Sequence, residues 1–259
     1  MKALFIRCYG KLTPDMLVGG LIDMGVPPVY LASRLKEAGS EAKFIEKSNA
    51  KAQFSAHYFH IPGGERKDLL LKQDAILKDW NSLCDTAGVS WKTTGWKVIS
   101  ALCAGASDAV DEIPGNIIDL RRGGVREEDV LSLFCFLAGI EYLEVEGIFT
   151  CPFELAHGTG EKEKMTERIL TSAGSTAGKP IPADDIAPFA AAMLEGLSKD
   201  FTPMDGRFLS DRTAYGTDSA ESPDGENTVA LYLGYYTEKK ESVFSKQMKV
   251  FGKEGEILF

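Results

Sequence analysis

The chain has 259 residues, 44% apolar and 26% charged, enough for one large domain or two small ones with an ample core. Its 38 acidic and 29 basic residues give a net charge of −9, which excludes a general nucleic-acid binder, since that function needs a basic face to neutralise phosphates. No run approaches the roughly 18 apolar residues of a membrane span and no leader pattern precedes the first predicted strand, so a cytoplasmic protein with no membrane partner is expected.

Residues 2–7 alternate around Leu4 and Ile6, as a short strand does. Thr13-Pro14-Asp15 then has the chemistry of a helix start: a capping hydroxyl, a proline where no N–H is needed, and an acid at the positive end of the dipole. Met16, Leu17, Gly20, Leu21 and Met24 follow at helical spacing up to Gly25. A strand, a tight polar loop and a helix N-terminus together offer a place for an anion or a metal-bound ligand. Pro27-Pro28 opens a second helix that runs to Ala38 and stops at Gly39. Residues 42–46 and 51–61 read as short strands, the second carrying His57-Tyr58-Phe59-His60. Side chains three apart on a strand point to opposite faces, so these two imidazoles do not chelate one ion. Residues 65–111 are helical in pattern, with Leu69, Leu70, Gln73, Ile76, Leu77 and Trp80 on one face and Trp91, Val98, Leu102, Ala106 and Val110 on the next, until Pro114-Gly115 breaks the chain.

Arg121-Arg122, with Asp119 before and Asp129 after, suits phosphate or carboxylate better than a metal cation, although a solvated turn ahead of a helix reads the same way. A helix from Arg126 carries Val130, Leu133, Phe134 and Leu137 and ends at Gly139, and 140–150 alternates as a strand. His157 lies in a loop beside Gly158, a position open to either a structural or a functional role. The Gly-rich run from Gly174 to Pro180 is one residue short of a Walker loop and has proline in place of the magnesium-binding hydroxyl, which excludes a P-loop NTPase. Asp184-Asp185 starts a helix over Ile186, Phe189, Met193 and Leu197, and 207–215 is a strand. Of the five cysteines, Cys103 and Cys135 fall in apolar helical patterns, while Cys8 and Cys151 flank strand ends where a thiol can face a site. No pair has C-x-x-C spacing. The order of elements gives an α/β or α+β fold, a layered mixed sheet with helices, as one domain over 1–259.

Several of these stretches resemble the LarC family of nickel-pincer-cofactor biosynthesis proteins, the nickel insertion proteins. Asp15-Met16 and Gly19-Gly20-Leu21-Ile22-Asp23-Met24-Gly25 match the family's opening helix, and Ala156-His157-Gly158 matches a family Ala-His-Gly. Residues 187–194 line up with a Thr-Pro-Thr-Gly-Ala-Ala-Leu-Leu helix, Tyr215-Gly216-Thr217-Asp218 resembles the family's Gly-Tyr-Gly turn, and 227–231 resembles its Asn-x-Leu-Arg strand entry. Other stretches depart from it. Arg7 stands for an early Asp, Gly10-Lys11 and Thr13-Pro14 replace two Ser-Gly pairs, a His-rich linker shrinks to 61–64, and Arg121-Arg122 occupy the place of a His-Phe-His-Glu motif.

The resemblance covers most of 1–236 and implies the fold of the family's N-terminal part, with 237–259 as a tail and without its separate nucleotide-binding C-terminal domain. It implies CTP-dependent insertion of nickel into a pyridinium bis-thiocarboxylate mononucleotide, a lyase-like, cyclometallase-type activity. The site implied at matching positions has Asp15 and His157 as catalytic groups, and Arg7, Lys11, Arg121 and Arg122 as the grip for a small anionic nucleotide-like ligand. Asp129 and His157 are its candidate metal contacts, and CTP would call for a separate nucleotide-binding partner chain. The alternative is a divergent paralogue that has lost its metal ligands and binds a small anion or a protein partner without chemistry. On either reading the 8–13 loop, Arg121-Arg122 and His157 are expected to converge on one anion-binding pocket.

Overall fold

The computed structural model describes residues 1–49, 55–63, 71–109, 119–171, 180–218 and 227–237. The strands are β1 (Lys2–Cys8), β2 (Ile45–Asn49), β3 (Ala56–His60), β4 (Gly147–Thr150), β5 (Leu155–Ala156), β6 (Ile181–Pro182), β7 (Ser198–Phe201), β8 (Phe208–Thr217) and β9 (Thr228–Tyr236). The helices are α1 (Pro14–Asp23), α2 (Pro28–Glu37), α3 (Gln73–Ala87), α4 (Lys92–Ala109), α5 (Asp129–Tyr142), α6 (Glu161–Ile169) and α7 (Pro188–Leu197). Seven strands form one mixed sheet in the order β2-β3-β8-β9-β1-β4-β7, and β5 pairs with β6 apart from it. β1 runs parallel to β4 and antiparallel to β9, while β3 is parallel to β8.

Alternation along β1 divides the interior. Leu4, Ile6 and Cys8 enter the main core with the helices, whereas Ala3 and Phe5 face a second cluster of Phe149, Cys151, Phe208 and Tyr236 that contains no helical residue. Phe5 stacks on Phe149 at 5.0 Å and meets Phe208 at 4.4 Å. The helices thus cover one face of the sheet, giving a two-layer α/β architecture. No helix among the described residues is long and apolar enough to cross a membrane.

Helix α1 is buried from Pro14 to Ile22, and glycine is what allows it. A Cβ on Gly19 would overlap the His57 carbonyl oxygen, and one on Gly216 of β8 would overlap the Met16 carbonyl oxygen, so helix and sheet touch backbone to backbone. Thr13 caps the first turn, its Oγ1 accepting from the Met16 N–H at 3.3 Å, with Pro14 at the first helical position. At the other end Arg212 Nη1 donates to the Met24 carbonyl at 2.9 Å, and the Asp23 carboxylate accepts from the Tyr215 N–H at 2.9 Å. Thr13→Ala should cost about 1 kcal/mol in urea unfolding, the usual value of such a cap; a change below a few tenths would show that water or Asp15 already serves the first turn.

Five sequence expectations are corrected. Helix α5 does not stop at Gly139 but continues to Tyr142, because Gly139 is the point where Leu21 and Val26 press against the helix; the chain turns only at Glu144, with φ 54°. The strand expected over 140–150 is accordingly only β4. Asp184-Asp185 belongs to a short 3-10 turn, Ala183–Asp185, and α7 begins at Pro188. Tyr215-Gly216-Thr217 is not a turn but the end of β8, and the strand expected over 42–46 is β2, three residues later, in antiparallel register with β3. Leu69, Leu70, Val110, Pro114-Gly115, the Gly174–Lys179 run and the tail past Thr237 lie outside the described residues.

Candidate functional site

β1, β3, β4 and β8 all point the same way, and open α/β sheets place ligands beyond the carboxyl ends of such strands. At that end the loop after β1 is pinned to the segment before α7: the Leu12 N–H donates to the Asp185 carbonyl, and the Ala187 N–H to the Leu12 carbonyl, each at 2.9 Å. This fixes the start of α1 and hence Asp15. The N-terminus of α5 approaches Asp15 from a position more than a hundred residues later, and His60 ends β3 alongside.

Asp15 is the hub. Its Oδ1 accepts from Ser132 Oγ at 2.6 Å, and its Oδ2 accepts from Arg126 Nη2 at 3.0 Å and lies 2.8 Å from His60 Nδ1. Arg126 also donates from Nε to Asp129 Oδ1 at 3.0 Å, while its backbone N–H donates to Asp129 Oδ2 at 2.9 Å. One guanidinium therefore bridges two carboxylates on residues only 6% and 2% exposed. Burial lifts the Asp129 carboxyl to about 6, in opposition to Arg126, with the Asp15 charge adding to the rise. Burial pulls Arg126 down, but Asp129 and Asp15 more than reverse this and leave it above its ordinary value. Tyr58 is raised by burial and by the carboxylates of Asp15 and Asp218. Asp218 Oδ2 pairs with Lys11 at 2.5 Å, and its Oδ1 is buried with no partner among the described residues.

The structure brings Asp15 and Asp129 together and gives the other expected site residues separate partners. Lys11 joins the edge of the cluster through Asp218. Arg7 lies on the opposite face of the sheet with its guanidinium 5.1 Å over the Tyr9 ring. Arg121 pairs with Glu127 at 2.6 Å on a 3-10 turn capped by Asp119, and Arg122 is 3.7 Å from Glu161. His157, its side chain 92% exposed, is 3.1 Å from Glu167 and lines a cavity of about 870 Å³ with Asp108, Glu154, Lys164 and Arg168; neither arginine of the basic turn nor any residue of 8–13 is in its lining. Asp129 has both oxygens committed to Arg126, and among the described residues no group of three or more His, Cys, Asp and Glu is arranged to hold a metal. His57 and His60 take separate partners, Glu46 at 2.6 Å and Asp15 at 2.8 Å. All five cysteines are buried, Cys8 and Cys151 included, and burial raises both of those thiols, Cys8 strongly.

Sequence reasoning missed Arg126, Ser132 and Tyr58 and set His60 aside. The spacing Arg126-x-x-Asp129 at a helix start carried a local signal, since an acid three residues in reaches back to the free backbone N–H.

A model of the family described as "Nickel insertion protein" matches residues 4–256. Relatives include a Thermotoga protein named "Pyridinium-3,5-bisthiocarboxylic acid mononucleotide nickel insertion protein", 26% identical, with 91% of this chain aligned to 62% of that one. Two more, from Geotalea daltonii and Thermomicrobium roseum, are named "Putative nickel insertion protein" and are 23% and 25% identical, with 90% of this chain aligned to 61% and 58% of theirs. The chain spans about three fifths of the length of the curated relatives it matches. No solved structure gives a significant match.

Proposed function

The chain belongs to the nickel insertion protein family, and from that premise we propose that it acts in inserting nickel into a pyridinium bis-thiocarboxylate mononucleotide, at the cluster around Asp15. The observation that carries the assignment is the cluster's charge. Among the described residues of the cluster, Asp15, Asp129 and Asp218 stand against Arg126 and Lys11, so with His60 neutral their formal charges leave one negative at the carboxyl end of the strands. That excess draws a divalent cation or a pyridinium ring, while the partly exposed Arg126 offers its remaining donor face to a thiocarboxylate or phosphate. Nickel is cargo here, and the two sulfurs of the substrate are the soft donors that take it. CTP, with or without a separate nucleotide-binding chain, is the proposed co-substrate.

The test is direct. The purified chain is mixed with nickel(II) and the mononucleotide, with and without CTP, and nickel-containing product is followed by mass spectrometry. Product forming faster than in a protein-free control is the expected result. Tight mononucleotide binding with no product above that control would replace this reading with the binding-only paralogue, and neither binding nor product would remove both.

A further inference from the structure

His60 is the one imidazole in the cluster. Asp15 accepts from Ser132 through Oδ1 and from Arg126 through Oδ2, so it faces His60 as an ionised acceptor and His60 must donate from Nδ1. The lone pair is then left on Nε2, which has no hydrogen-bond partner among the described residues, on a side chain 33% open to solvent. Among the described residues, the charged or titratable groups around it are Asp15 on α1, Tyr58 on β3 with its ring 6.2 Å away, Arg126 and Asp129 at the start of α5, and Lys11 with Asp218 at the loop edge. A proton taken by the imidazole cancels the cluster's net negative charge. This is the arrangement of a base held in one tautomer by a buried carboxylate.

We propose that His60 Nε2 is the general base of nickel insertion and that Asp15 is its positioning residue. The proposal rests on the nickel-insertion reading above. Nickel(II) held by the sulfurs of the thiocarboxylates borne on ring carbons 3 and 5 lies against the ring carbon between those two, which bears a hydrogen. That C–H bond breaks, its electron pair becomes the nickel–carbon bond, the proton passes to His60 Nε2, and nickel stays divalent. No external oxidant or reductant is needed.

Single-turnover insertion by His60→Ala should be at least about 100-fold slower than wild type, the usual lower bound for loss of a general base, while the Kd for the mononucleotide measured without nickel changes less than about threefold. Added imidazole should restore part of the rate. Asp15→Asn should slow single-turnover insertion while the Kd for the mononucleotide measured without nickel changes less than about threefold. If His60→Ala misfolds, His60→Gln is judged by the same criteria. A variant rate within about threefold of wild type, or a rate loss fully matched by lost binding, overturns the role of His60 and leaves the nickel-insertion reading intact. Absence of product with the wild-type chain removes that reading and this inference together.

Discussion

Arg126→Ala is expected to lose about 3 kcal/mol of stability at pH 8 and much less at pH 5. Taking one partner from a buried ion pair leaves an uncompensated charge, and here two carboxylates, on Asp15 and Asp129, lose the same guanidinium. The figure sits at the low end for buried pairs because the Arg126 side chain is 34% exposed and water screens part of the contact. The pH dependence follows from Asp129, whose folded value of about 6 lies above its unfolded 3.8. A carboxyl raised in this way supports the fold most fully below its unfolded value, and that support is lost as pH rises through the folded value. Without Arg126 the folded value moves higher still, so the variant's deficit is small near pH 4 and widens from pH 5 to pH 8. Urea titrations at the two pH values decide it, and equal deficits would sink the argument.

Gly216→Ala should be the more damaging change, at about 3 kcal/mol or more, toward the upper end for overpacking. The new methyl would overlap the Met16 carbonyl oxygen and come within 2.7 Å of the Gly20 N, and neither atom belongs to a side chain that can rotate away. Both lie in α1, which would have to lift off β8 and carry Asp15 with it. Mononucleotide binding should therefore fall together with the melting temperature. Gly206→Ala is the control, since nothing lies within 4 Å of the added carbon, and it should stay within about 0.5 kcal/mol of wild type.

These two residues also mark where sequence reading reached its limit. The limits of α1 and α2 were legible because Thr13, Pro14, Gly25, Pro28 and Gly39 act on their own neighbours through caps and dihedrals. Gly216 and Gly139 carry no such local message. Both look like turn or stop residues, yet each is a bare spot where another element rests, and only the packed structure supplies that element. The site behaved in the same way. Asp15 was found because it matches the family's opening helix, but Arg126 takes its meaning from a carboxylate 111 residues away, and His60 was weighed against His57 rather than against Asp15. The basic pair Arg121-Arg122 drew attention by its charge, which Glu127 and Glu161 meet locally.

The position of β1 has a consequence during synthesis. Its two hydrogen-bonding edges are filled by β4 and by β9, so β1 waits for a strand more than 200 residues later to complete its pairing. After β4 has emerged, roughly 80 further residues are needed, on the order of 4–16 s at ordinary elongation rates. Throughout that interval the edge bearing Leu4, Phe5 and Ile6 is an open template for any other extended chain. Nascent chains stalled between β4 and β9 should bind holdase chaperones through their N-terminal strand and release them once β9 is complete.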